Sequence, residues 1–193
     1  MPEIVLSRRA ALSAINEEEA AHVRSDGIAV RVLAPMARLS LRIAPALAVQ
    51  VADVAGLTLD LPINRRREDA GCSVLRLGPD EWLLCGPEGD ADEWSRAVAA
   101  GLAGLAHSLV DVSHAYVTFA VGGAKAAEAI NAGCPLDLWP QVFQAGHATR
   151  TLLGKAEIIL ARPGEARAFE ITCARSYAAY VRDLLREAAR GAG

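Results

Sequence analysis

Asp111-Val112-Ser113-His114 brings an acid, a hydroxyl and an imidazole within four positions, the residue types of a nucleophile, its base and an orienting carboxylate. Successive side chains on a strand point to opposite faces, so these three cannot converge on one substrate atom. The block reads as a strand lead-in held by local hydrogen bonds. The four histidines, His22, His107, His114 and His147, are scattered, and none has a partner at metal-ligand spacing with a third ligand near. Cys72, Cys85, Cys134 and Cys173 lie far apart without a Cys-x-x-Cys pair, which predicts reduced, packed thiols. Gly122-Gly123 could receive an anion where a strand turns into a helix, but the glycine spacing matches neither a phosphate loop nor a dinucleotide fingerprint. Asn64-Arg65-Arg66-Arg67-Glu68-Asp69 reads as a charged loop able to meet an anion or another subunit. No catalytic residue and no metal site is expected.

The elements that would position these residues start from Gly71 to Gly86. Ser73, Leu75 and Leu77 alternate with Arg76 as in a strand, Pro79 presets a tight turn, and Trp82 to Cys85 are all apolar. This predicts a hairpin whose second strand is covered on both faces. Ile28 to Ile43, interrupted by Pro35, gives two short strands. Pro45 opens a helix that runs to Gly56, and Leu57 to Pro62 is a connector. Asp90 caps a helix with Trp94, Val98, Leu102 and Leu105 on one face. Leu109 to Val121 reads as one strand, followed by a helix through Ala126 and Ile130 that stops at Gly133-Cys134-Pro135. Thr149 to Leu153 and Glu157 to Ala161 form a hairpin around Gly154-Lys155, Phe169 to Cys173 is a strand, and Tyr177, Tyr180, Val181, Leu184, Leu185 and Ala188 mark a terminal amphipathic helix. Residues 1–27 show no sustained period beyond a short helix from Ser13 to Val23 and read as an N-terminal arm.

Two motifs repeat. Ala55-Gly56-x-x-Leu59-Asp60-Leu61 matches Ala132-Gly133-x-x-Leu136-Asp137-Leu138, and Leu77-Gly78-x-x-Glu81 matches Leu153-Gly154-x-x-Glu157 in the same order. Two ordered matches at nearly one offset indicate a duplication. The predicted fold is α+β: two fused ferredoxin-like halves, about 28–106 and 107–190, within a single domain of residues 28–190, with antiparallel-rich sheets carrying packed helices. The match also places Glu81 and Glu157 at equivalent turn exits and Trp82 near the junction of the halves.

Composition narrows the partners. The chain has 193 residues, 52% hydrophobic, with 20 basic against 23 acidic side chains for a net charge of −3. That balance draws in neither nucleic acid nor an anionic bilayer. Charged residues or prolines interrupt every apolar run before it reaches a membrane span. Ser7-Arg8-Arg9-Ala10-Ala11-Leu12 is similar to a twin-arginine export signal, but Asn16-Glu17-Glu18-Glu19 follows where an apolar stretch should be. Export is not expected, and a cytoplasmic location is.

Five blocks together carry a resemblance: Leu77-Gly78-Pro79-Asp80-Glu81-Trp82-Leu83-Leu84, Asp111-Val112-Ser113-His114, Gly133-Cys134-Pro135-Leu136-Asp137-Leu138, Arg150-Thr151-Leu152-Leu153-x-Lys155-Ala156-Glu157, and Arg175-Ser176-Tyr177. In this order and with these gaps they resemble the gamma-subunit family of heterotetrameric sarcosine oxidase over about residues 28 to 188. The resemblance implies a fold similar to the folate-binding domain of the glycine-cleavage aminomethyltransferase. It also implies a structural, non-catalytic component of a complex that oxidatively demethylates sarcosine and passes the one-carbon unit to tetrahydrofolate. FAD, FMN, NAD and tetrahydrofolate would then sit on other subunits and none on this chain, with alpha, beta and delta subunits as partners.

The alternative is an independent folate-binding one-carbon protein. The aminomethyltransferase places an acidic pair after a Gly-rich turn to polarise the folate amine, whereas Gly154-Lys155-Ala156-Glu157 leaves Glu157 as the single folate candidate. A subunit needs an apolar contact surface. Trp139 and Phe143, in a loop with no need of large apolar residues, are the interface candidates, joined by the edge of Arg65, Arg66 and Arg67.

Overall fold

The strand Glu81–Gly86 (β6) is apolar at every position from Trp82 to Cys85 because both of its faces are covered. Trp82 and Leu84 point into one core, while Leu83 and Cys85 point the other way into a second. This is the burial that an uninterrupted apolar strand requires. β6 pairs with Cys72–Arg76 (β5) through the turn at residues 77–80, so the expected hairpin forms and lies in the interior of its sheet.

The computed structural model describes residues 23–25, 27–51, 53–87, 91–164 and 168–191. The cap expected at Asp90 and all of the N-terminal arm before Val23 lie outside these residues. Within the arm, Val23–Ser25 (β1) is a short edge strand on Ile28–Val32 (β2). The first lobe continues with Ala37–Ile43 (β3), Pro45–Ala48 (α1), Arg65–Asp69 (β4), β5, β6, Ala91–Gly101 (α2) and His107–Asp111 (β7). The second runs Tyr116–Gly122 (β8), Ala126–Asn131 (α3), Ala148–Leu153 (β9), Ala156–Ala161 (β10), Ala168–Ala174 (β11) and Ala178–Gly191 (α4).

Every neighbouring pair is antiparallel, in a five-stranded sheet ordered β4-β5-β6-β3-β7 and a six-stranded sheet ordered β1-β2-β8-β11-β10-β9. Each lobe is thus ferredoxin-like, with one strand (β4 or β9) added beside the split β-α-β unit and, in the second sheet, the short β1 on the opposite edge. Each also takes its last strand from the segment that leads into the other lobe. β7 completes the first sheet and runs on into β8, whereas β2 completes the second and runs on into β3.

Trp94, Val98 and Leu102 of the α2 segment close the outer face of the first sheet, and α3 and α4 close that of the second. Between the sheets, Leu75, Leu77, Leu83 and Cys85 meet Ala148, Ile159 and Ala161, giving four layers, helix, sheet, sheet, helix. Gly86 is required at the end of β6, since a Cβ there would fall 2.6 Å from the Trp94 ring. Among the described residues no helix is long and apolar enough to cross a membrane.

Several expectations are corrected. Leu109 to Val121 is two strands in different sheets, broken by a 3-10 turn at Ser113–Ala115. The helix opened by Pro45 lasts four residues and ends well before Gly56; Ala55 and Gly56, with φ of 52° and 82°, instead reverse the chain in a tight turn bridged by Val54 and Leu57. Arg65, Arg66 and Arg67 belong to edge strand β4, folded onto β5 by the two-residue turn Ala70-Gly71 with φ of 46° and 79°.

The repeat is also realigned. By topology β4–β5 corresponds to β9–β10, both closed by two-residue turns, and β5–β6 corresponds to β10–β11. The Leu77 and Leu153 turns are therefore one hairpin out of step. The Leu59-Asp60-Leu61 and Leu136-Asp137-Leu138 match does hold, since each segment lies between the lobe's first helix and its added strand. Trp82 lies inside the first lobe, its Nε1 donating to the Leu59 carbonyl at 3.1 Å and Arg76 over its ring at 4.8 Å, away from the sheet-to-sheet seam.

Candidate functional site

Glu81 starts β6 at the rim of the seam with its side chain 13% exposed. Its carboxylate is ion-paired with Arg42 Nη2 at 3.1 Å from the neighbouring strand β3 and accepts a hydrogen bond from Arg150 Nη2 of β9 in the other lobe. Arg42 Nη1 reaches Asp80 at 3.0 Å and Arg150 Nη1 reaches Glu157 at 3.1 Å. Asp80, Arg42, Glu81, Arg150 and Glu157 thus alternate in sign along a ladder that crosses from one lobe to the other. Partial burial works against the charge on Arg150, but its hydrogen bond to Glu81 and that carboxylate's charge, with a smaller contribution from Tyr116, hold the guanidinium above its ordinary pKa. Glu81 and Glu157 do not stand at equivalent turn exits; they meet on one arginine. Glu157, the folate candidate, is mostly exposed and committed to that arginine.

A second crossing uses the serine of the candidate triad. Asp111 Oδ1 accepts the Ser113 N–H at 2.8 Å, and Ser113 Oγ accepts the Arg38 N–H at 2.8 Å, while His114 is exposed. The three groups mark the hinge where the chain leaves one sheet for the other. Arg38, 2% exposed, donates from Nη2 to Thr118 Oγ1 at 2.7 Å, and Thr118 shares a hydrogen bond with Thr172 at 2.8 Å. These side chains surround a cavity of about 30 Å³ between the sheets, room for roughly two waters on a scale of 10–15 Å³ each.

Thiol chemistry is disfavoured by burial. Cys85 is pushed up by desolvation, and Cys173 is pushed up to about 11 for the same reason. All four thiols are free, and Cys72 is likewise raised, by burial and then by the charge of Asp69. Among the described residues no three His, Cys, Asp or Glu side chains gather as a metal set.

The interface candidates separate. Trp139 is 64% exposed beside Val142 at 53%, one turn away through the Val142 N–H to Trp139 carbonyl bond of 2.9 Å. Phe143, expected at the surface with Trp139, is buried at 6%, stacked on Phe169 at 6.3 Å with His147 edge-on at 5.3 Å. Of the three arginines only Arg67 is exposed; Arg66 turns inward to Glu68 at 2.7 Å and Glu170 at 3.8 Å. Sequence reasoning missed Arg150, whose partner Glu81 is 69 positions away, and Arg38, whose sole signal is a charge inside an apolar strand.

Ferredoxin-like lobes that exchange strands and stack sheet to sheet are a fold class this chain shares with an aminomethyltransferase. The glycine cleavage system aminomethyltransferase T from Bartonella henselae superposes with a TM-score of 0.70 over 95% of this chain and 61% of that one, at 16% identity, a likeness of fold alone. Within that class, the model of the sarcosine oxidase, gamma subunit family matches residues 42–191, and the chain belongs to this family. The sarcosine oxidase subunit gamma of Arthrobacter sp is 30% identical over 162 residues, 82% of this chain and 78% of that protein. That of Corynebacterium sp. (strain U-96) is 30% identical over 151 residues, 76% and 73% of the two chains. A chain of the heterotetrameric sarcosine oxidase from Corynebacterium sp. U-96, solved in complex with pyrrole 2-carboxylate, superposes with a TM-score of 0.84 at 26% identity over 95% of both chains.

Proposed function

We propose that this chain is a structural, non-catalytic gamma subunit, packed against the alpha, beta and delta subunits of a heterotetrameric sarcosine oxidase. That complex oxidatively demethylates sarcosine to glycine and passes the one-carbon unit to tetrahydrofolate. FAD, FMN, NAD and tetrahydrofolate reside on the other subunits, and the chain works in the cytoplasm. The observation that carries this reading is the superposition on a chain of a heterotetrameric sarcosine oxidase over 95% of both lengths.

The side-chain geometry supports it. Asp111 and Ser113 serve a chain crossing, burial raises the pKa of the Cys85 and Cys173 thiols, and Glu157 is ion-paired with Arg150. Trp139 and Val142 give a stable interface the large apolar anchors it needs. Co-expression with the larger chains tests this directly. The expected result is one stoichiometric complex on size exclusion, lost in Trp139→Asp while that variant's own fold survives. Elution of the wild-type chain by itself overturns the proposal.

A further inference from the structure

Arg162 follows β10 and is 7% exposed, yet among the described residues no carboxylate pairs with it. Its Nη1 donates to the Phe143 carbonyl at 2.8 Å, and its guanidinium lies over Phe169 at 5.9 Å. Nε is buried without any partner, and no hydrogen bond from Nη2 to a described residue accompanies it. A guanidinium has five donors, and leaving one buried and unpaired forfeits its hydration without a replacement hydrogen bond. The free Nε–Nη2 edge is the side on which a carboxylate binds with two parallel hydrogen bonds.

Arg162 also lines a cavity of about 430 Å³, within the size range of small-molecule sites, with Nε just beneath the cavity surface. Ala127 of α3, Leu138, Trp139 and Phe169 give it apolar and aromatic walls, and Glu128 and Asp137, both exposed, lie on its lining. Asp137 Oδ1 accepts the Trp139 N–H at 2.9 Å, which fixes the loop that forms one wall. Here a single cation sits deep and two acids sit toward solvent. One carboxylate on Arg162 is attracted, and a second anionic group on the same molecule meets Glu128 and Asp137.

We infer that this cavity is a binding site for a small monocarboxylate with an apolar or aromatic body, the carboxylate held by Arg162 and the body lying between Phe169 and the Leu138-Trp139 wall. The site needs no other chain. Trp82 and Trp94 are buried and Trp139 is exposed on the cavity wall, so tryptophan emission reports its occupancy.

The test titrates the full chain with 3-phenylpropionate and follows fluorescence and heat. Saturable binding in the low-millimolar range or tighter is expected, weakened at least about tenfold in Arg162→Gln and for inorganic phosphate or phthalate in place of the probe. Arg162→Lys keeps the charge but not the fork and falls in between. Ala127→Trp fills the cavity, leaves Arg162 in place and abolishes binding. That variant decides the matter if Arg162→Gln does not fold. No saturable binding, undiminished binding in either Arg162→Gln or Ala127→Trp, or phosphate binding as well as the probe would each overturn the inference.

Discussion

The two lobes follow one course of strands and helices but finish the connection after the first helix in opposite ways. In the first lobe that connection turns inward: Leu57, Leu59 and Leu61 are all at most 3% exposed, and the Leu59 carbonyl receives the Trp82 indole. In the second lobe the equivalent connection buries Leu138 and Phe143 but holds Trp139 and Val142 out to solvent and leaves the cavity beside Arg162 open. The first lobe is therefore a closed support, and the second carries the surface features. The two lobes share one scaffold, and the difference in exposed apolar surface lies in one irregular segment.

The largest effect is expected from cutting the chain at 106/107. Fragments 28–106 and 107–190 each lack the strand that completes their sheet, so neither alone should show a cooperative melt, whereas mixing them should restore one. A fragment that folds by itself would mean the exchanged strands are dispensable. Next come the two tryptophans. Trp82→Ala should cost about 3–5 kcal/mol in denaturant unfolding, and Trp139→Ala no more than about 0.5. A comparable loss at both positions would erase the contrast between closed and open connections.

Smaller effects probe the seam. Arg150→Ala removes the middle of the ion-pair ladder, and because its partners are partly solvated the loss should be about 0.2–1 kcal/mol, shrinking further as salt is added. A salt-independent loss would mean that Arg150 contributes packing and not charge. The smallest is a pH effect at His147, whose pKa is lowered from 6.5 by burial and then by the charge of Arg65. The unfolded chain binds this proton more readily, so stability is full above about pH 6.5 and declines as pH falls toward the lowered folded value. His147→Gln should flatten that slope in urea titrations taken between pH 7 and 5, on the order of the unfolded histidine pKa.

Local patterns were legible. The β5–β6 hairpin, the break at Pro35 and the amphipathic terminal helix all announce themselves through alternation, a turn proline or helical spacing. Long-range pairing was not. Nothing within Ile28 to Val32 distinguishes a strand that pairs with its sequence neighbour β3 from one that crosses to β8. Arg65 to Asp69 read as a loop because an edge strand tolerates charge on both faces, although Ala70-Gly71 was a usable hairpin signal. Trp139 and Phe143 looked alike in sequence because only the packing of Phe169 and His147 decides which of them is covered. Arg162 gave no signal at all, since its cavity is assembled from α3, a loop and β11, which meet only in the folded chain.

The exchange of β2 and β7 also imposes an order in time on a chain emerging from the ribosome. The first lobe can close as soon as β7 is out, but β2, made earlier and flanked only by the short β1, has its other edge unpaired until β8 follows. Through that interval Ile28 and Val30, which end up 3% and 5% exposed, sit on an open strand edge, a template for wrong pairing. A nascent chain stalled just past β7 would therefore protect β3 to β7 from protease while leaving β2 open to cleavage.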